Sequence, residues 1–456
     1  MLERFGQQAQ KIDEMTPEGR DRYADFLRAA SIIVVVLGHW LVAYFTVEDG
    51  ELQLEQLLAV VPETQWLTWL FQVMPIFFFV GGMANAIGWK SARSRGEKYV
   101  NWLRKRARRL LWPVVPLLVF WIPIFLLLDW LGTPTDLLIL ASQVILIPIW
   151  FLAAYMCVVM ISPAAYWLHE RLGVGALALF VGLAVGVDIA HRSGVPYVGW
   201  SNYLWVWGAV HQAGFFWHDG RMPKKAIIGV AMAVVGYGLL VILTHFLGYP
   251  LSMVGTGAET DGTNNTPPSI ALLLLAFAQI GLVSVFRKPI SRWLQRPKVW
   301  APVVLLGSKL MTVYVWHMTA MMAVAAAAFP TGIWPDPQGV TAAWWLSRIP
   351  WFFILIVAMA ILVFAFGRWE RPREGRPTTL RGWPAKLKAF GGVILTSVGL
   401  GVLVLGGLYD TEGPLNLPVI GLGMLFAGLV GLGVVGSSLF GRWTKREPEP
   451  MPDGEV

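Results

Sequence analysis

The sequence predicts an all-α fold, a polytopic transmembrane helical bundle, and three observations carry that expectation. Of its 456 residues 56% are hydrophobic and only 14% charged, against about 25% charged in an ordinary soluble domain. Apolar runs long enough to span a bilayer recur about twelve times. The Lys and Arg residues gather in alternate loops. Mean hydropathy is +0.58, and 24 Trp and 47 Gly suit a chain whose Trp collects at membrane interfaces and whose Gly enters spanning helices.

Residues 1–21 mix acids and bases and lack the basic start, short apolar core and small-residue cleavage site of a signal peptide. They read as a cytoplasmic segment. Expected spans follow at 26–47, 67–89, 110–130, 138–161, 173–190, 200–217, 226–247, 270–286, 302–328, 342–366, 389–409 and 417–440. Of the 36 Lys and Arg, all but Arg192, Lys309 and Arg348 lie in the termini or in loops after even-numbered spans, whereas 48–66, 129–137 and 248–269 carry none. Basic residues are retained inside the cell, so both termini are expected to be cytoplasmic.

The stretch 367–388 is basic and Pro-containing. It reads as a cytoplasmic linker between a ten-span core, 22–366, and a two-span module, 389–440; the polar tail 441–456 is expected to be disordered. The Gly-, Thr- and Asn-rich segment from Pro250 to Ser269 reads as a flexible external lip. The lone Cys157 excludes an intrachain disulfide. The net charge of +8 follows from the loop cations and gives no reason to expect nucleic acid.

Candidate chemistry begins with RYADFLRAASIIVVVLGHWL, residues 22–41. At 100° per residue the eleven steps from Arg28 to His39 put both on one face, roughly 16 Å apart along the axis. Asp25 shares that face and can pair with Arg28 at i, i+3. An ionisable group at membrane depth points to function: a polar channel with a cation at its mouth and a proton acceptor inside. The alternative is an interfacial Arg that snorkels and a His that makes an interhelical hydrogen bond. Arg104, Lys105, Arg106, Arg108 and Arg109 crowd the start of the third span. Arg forks suit phosphate, but such clusters also hold loops inside and bind anionic lipid.

In the second span Gly81, Gly82 and Ala84 allow close helix approach and Asn85 offers a buried amide. Trp150 and Tyr155 of the fourth line a cavity or fill space. His317, in YVWHM with Lys309 upstream, is a second candidate imidazole. The other five His lie near span ends and read as interfacial, and Asp188 is the one acid close to bilayer depth. Metal-ligand spacing, P-loop and nucleophile-elbow motifs are missing, so no metal is expected.

The order of Asp25 and Arg28, His39 ten intervening residues later, PIFFFVGG (75–82), Arg106 and Arg109 before LLWP, IWFL (149–152) and YVWHM (314–318) resembles the acyltransferase-3 family of integral membrane acyltransferases, over roughly residues 22–366. The resemblance implies ten spanning helices in the plasma (inner) membrane. It also implies a cytoplasmic acyl-CoA donor, acetyl-CoA being the expected one, and transfer to a hydroxyl of an external sugar, glycan or glycolipid acceptor. It makes His39 the catalytic base, Arg28 its motif partner, and Arg106 with Arg109 the pair near the CoA phosphates. The family commonly has FFxxSG where this chain has FFFVGG, so Gly81 stands where a Ser is usual. No appended hydrolase-like domain is expected from residues 389–440. Two rival readings remain: a secondary transporter or exporter of a lipid or glycan, against which no repeat between the two halves is visible, and a different membrane acyltransferase class in which His317 does the work.

Overall fold

The structure, a computed structural model, describes residues 2–48, 51–257, 262–334, 339–370 and 382–435. The linker residues 371–381 and the tail 441–456 lie outside them. Helix α1 (Leu2–Glu14) precedes α2 (Arg22–Val42), whose first turn is capped by the Asp21 carboxylate accepting from Ala24 N at 3.0 Å, a cap of about 1 kcal/mol. The first span was expected to run helical to residue 47. It stops at Val42, where AYFTVE is rich in aromatic and β-branched residues that favour strand, and β1 (Ala43–Glu48) pairs antiparallel with β2 (Glu51–Gln56).

The chain continues through α3 (Met74–Ser94), α4 (Tyr99–Leu111), α5 (Val114–Trp130), α6 (Thr135–Val144), α7 (Ile149–Leu172), α8 (Val174–Arg192) and α9 (Asn202–His218). Then come α10 (Ala226–Phe246), α11 (Ile270–Trp293), α12 (Pro297–Gly307), α13 (Leu310–Ala328), α14 (Ala342–Phe366), α15 (Gly382–Gly406) and α16 (Val419–Leu432). Among the described residues nine helical stretches are long and apolar enough to cross a membrane, or ten if the bent pair α4 and α5, which turns by 43°, is one span. The break falls at Pro113, whose missing N–H cannot continue the α4 ladder. Expected spans at 200–217 and 417–440 are the short helices α9 and α16, and 302–328 is interrupted between α12 and α13.

Burial sorts the helices into an inner and an outer ring. The spanning windows containing α3, α7 and α13 are 72%, 72% and 67% buried, while those of α8 and α14 are 22% and 17%. Close helix crossings at the centre depend on glycine. A Cβ on Gly82 would lie 1.9 Å from the His211 carbonyl oxygen, and one on Gly214 would lie 2.1 Å from the Phe79 carbonyl oxygen, so α3 and α9 touch backbone to backbone.

Two expectations about the periphery need correction. The segment after Pro250 is a packed element in its described part: Asn264 Nδ2 donates to the carbonyls of Pro250 and Ser252 at 2.6 and 2.9 Å, and Met253 is fully buried. Its polar composition supplies the hydrogen bonds that a buried irregular backbone needs. Lys309 sits at the break between α12 and α13, outside the helix interior, with Nζ donating to the Gly367 carbonyl at 2.8 Å. The Glu370 carboxylate accepts from the backbone N–H groups of Met311 and Thr312 at 2.9 and 2.7 Å, capping α13.

The C-terminal pair α15 and α16 packs on the core through α4, α6 and α7. Arg104 Nε donates to Leu432 O at 2.9 Å and Arg108 Nε to Gly433 O at 3.1 Å. Two cations of the basic cluster thus satisfy the carbonyls that end α16.

Candidate active site

Helices α2 and α13 bring together the two imidazoles that the sequence offered as alternatives. His39 Nδ1 lies 2.8 Å from His317 Nε2, with the ring planes 16° apart. His317 is fully buried and His39 half-buried. His317 Nδ1 is 2.6 Å from the Tyr314 carbonyl oxygen, which can only accept. A neutral His317 therefore carries its proton on Nδ1 and accepts at Nε2. His39 must then donate from Nδ1, which leaves the lone pair on His39 Nε2.

The surroundings hold this geometry. Trp40 Nε1 donates to the His317 carbonyl at 3.0 Å, tying α2 to α13, and the Tyr314 hydroxyl donates to Pro148 O at 2.7 Å, tying α13 to the start of α7. Trp150, the second residue of α7, is half-buried and meets Phe151 and Tyr203 edge-on; Phe151 in turn meets Tyr314.

A second constellation lies toward the basic end. Arg106 reaches from α4 onto α3, donating from Nη2 to Ala84 O at 3.1 Å with its guanidinium 5.7 Å from the Trp102 ring. Gly88 makes this possible, since a Cβ there would lie 2.0 Å from Arg106 Nη2. Arg28, Arg106 and the Tyr155 hydroxyl are within electrostatic reach of one another, and Arg109 is within reach of Arg106. Arg109 itself is exposed. Asp25 is ion-paired to Arg20 at 2.6 Å and lies 3.9 Å from Arg28, so it anchors the mouth of α2 and does not reach toward His39.

His211 overturns its reading as interfacial. It is buried in mid-α9, with Nε2 3.0 Å from Asn85 Nδ2, and the same amide donates to the Tyr155 hydroxyl at 3.3 Å. The signal for it was its setting in GAVHQAG, where small residues on both sides mark a helix that other helices approach closely. Gly81 completes this cluster. A Cβ there would lie 2.6 Å from the Tyr155 hydroxyl, so the space a Ser side chain would enter is filled by a phenol. Asp188 is buried and accepts from the Tyr249 hydroxyl, whose ring is covered by Arg192 at 4.0 Å. That closes it off as a free carboxylate.

A histidine pair joining two helices and a cluster of arginines at one end thus form the candidate site of a multi-pass membrane protein. A family model described as an acyltransferase domain, Acyl_transf_3, matches residues 21–368. The chain belongs to this family and is a membrane acyltransferase. No curated protein and no solved structure matches it. Among the described residues no group of three or more His, Cys, Asp or Glu is placed to hold a metal ion.

Proposed function

We propose that the protein moves an acyl group, acetyl in the simplest case, from cytoplasmic acyl-CoA to a hydroxyl of an extracytoplasmic sugar, glycan or glycolipid, and that it does so in the plasma membrane. The observation that carries this reading is the direction of the His39–His317 hydrogen bond, which leaves one unprotonated nitrogen on His39. His39 Nε2 takes the proton of the acceptor hydroxyl as its oxygen attacks the thioester carbonyl. The C–S bond then breaks, and CoA leaves as a thiolate that recovers the proton from His39. His317 orients the ring and supports the charge that develops on it. Arg28 and Arg106 lie where the phosphates of CoA would meet the basic end, and the intervening distance of roughly 16 Å along α2 suits an extended pantetheine arm. Asn85 and Tyr155 offer polar contacts along that path.

The test is transfer by the purified full-length protein in vesicles supplied with acyl-labelled acetyl-CoA, together with mass spectrometry of envelope glycans and glycolipids from cells with and without it. Label on a glycan that disappears with His39→Ala supports the reading. Substrate movement without any acyl-CoA would favour the exporter instead.

A further inference from the structure

Helix α14 buries one narrow stripe, Trp344, Arg348, Trp351, Leu355 and Met359, spaced three or four residues apart, and turns the rest of its surface outward. Arg348 is the one charged member of that stripe and is only 4% exposed. Its guanidinium lies 4.3 Å from the Trp344 ring and 5.6 Å from the Trp351 ring. Among the described residues its one polar contact is a long 3.4 Å bond from Nη2 to the neighbouring Ser347 hydroxyl, and no carboxylate pairs with it. Among the described residues Nε and Nη1 of Arg348, Nε1 of Trp344 and Nε1 of Trp351 are all buried without a hydrogen-bond acceptor.

Four orphaned donors on one helix face, with no acceptor among them, is a one-sided arrangement. Aromatic faces compensate part of the guanidinium charge but leave its N–H groups unmet, and buried donors normally find acceptors. A guanidinium fork with two indole N–H groups suits the oxygens of a phosphate or carboxylate.

The location says which anion. Trp351 meets Phe45 in β1 and Phe329 at the end of α13, at 6.2 and 5.8 Å. Phe329 lies twelve residues beyond His317, roughly 18 Å along the helix, on the side whose loops carry no Lys or Arg besides Arg192. We propose that Arg348, Trp344 and Trp351 form an oxyanion site that holds a phosphate or carboxylate of the acyl acceptor, on the outward side of the hydroxyl that is acylated. This rests on the proposed function for the identity of the molecule bound. The acceptor is then an extended anionic glycan or glycolipid, gripped at one end by α14 and presented to His39 at the other.

The experiment uses the full-length protein in neutral phosphatidylcholine nanodiscs and three probes: sodium glucuronate, inorganic phosphate, and phosphatidic acid added to the bilayer. The readout is the rise in thermal unfolding midpoint with probe concentration. At least one soluble probe is expected to stabilise the wild type. Arg348→Gln is expected to weaken that probe about tenfold or more, with Arg348→Lys intermediate. Preference for glucuronate or for phosphate names the group on the acceptor. A response to phosphatidic acid alone would reassign the site to a lipid headgroup and overturn the proposal, as would no response to any probe or an unchanged response in R348Q. If R348Q does not fold, R348K decides: unchanged affinity there sinks the site. His39→Ala should keep the wild-type probe response while losing transfer. A wild type that binds the probe but transfers nothing from acyl-CoA would refute the proposed function and leave the anion site standing.

Discussion

His39 Nδ1 and His317 Nε2 are 2.8 Å apart, although 278 residues separate them in the chain. The contact turns two candidate imidazoles into one unit with a direction: carbonyl of Tyr314, His317, His39, then an open nitrogen. In the proposed mechanism His39 is the base and His317 a positioning residue, and the two roles give different signatures. His39→Ala should cost about 10²–10⁴-fold in kcat. His317→Ala should also lower kcat strongly, because nothing then fixes the His39 tautomer, while His317→Gln should recover part of it, its amide oxygen being able to accept from His39 Nδ1. KM for acyl-CoA should hardly move in either. Steady-state kinetics of the three variants checks this, and equal rates for His317→Gln and His317→Ala would remove the positioning role.

The sequence showed which residues were anomalous and hid how they meet. His39 and His317 stood out because imidazoles are costly in apolar runs, yet their contact depends on the packing of α2 against α13, which periodicity does not encode. The basic cluster was visible as charge alone. Its division, with Arg106 turned onto α3 and Arg104 and Arg108 turned to the end of α16, depends on Gly88 and on helices far away in the chain. His211 was misplaced because α9 is only 17 residues long, so its middle looked like an end. The four orphaned donors around Arg348 could be found only with side chains in place.

That division of the cluster predicts a division of phenotypes. Arg106→Ala should raise KM for acyl-CoA about tenfold, the loss of one charge-assisted contact worth about 1.5 kcal/mol, with kcat little changed. Gly88→Ala should act in the same direction, since the added methyl occupies the place of Arg106 Nη2. Arg108→Ala should leave KM alone. If Arg108→Ala raised KM as much as Arg106→Ala, the cluster would be acting as an undivided positive field.

Gly81 and Tyr155 should behave as a coupled pair. Gly81→Ala places a methyl 2.6 Å from the Tyr155 hydroxyl, an overpacking that costs about 1–3 kcal/mol. Tyr155→Phe removes the oxygen in conflict, so Gly81→Ala/Tyr155→Phe should be more stable than Gly81→Ala alone. Thermal unfolding of the single and double variants measures the coupling. Additive losses would mean that the methyl's conflict lies with the ring carbon Cε2, 2.9 Å away, and not with the hydroxyl.

The last two helices should be separable from the chemistry. The family match ends at residue 368, and α15 and α16 are fastened to the core at both ends. At one end Asp129 accepts from the Tyr409 hydroxyl at 2.6 Å and from Asn416 Nδ2 at 2.9 Å; at the other, Arg104 and Arg108 meet the α16 carbonyls. Asp129→Ala should speed backbone hydrogen exchange around Tyr409 and Asn416 while residues near Leu432 stay protected, and Arg104→Ala should do the reverse. Combining them should loosen α15 and α16 together, because glycine contacts such as Gly428 against Thr396 bind the two helices to each other more closely than to the core. Acyl transfer by Asp129→Ala should match the wild type. A loss of transfer with normal folding would show that the C-terminal pair holds the catalytic core in shape, and that the enzyme extends beyond the family match.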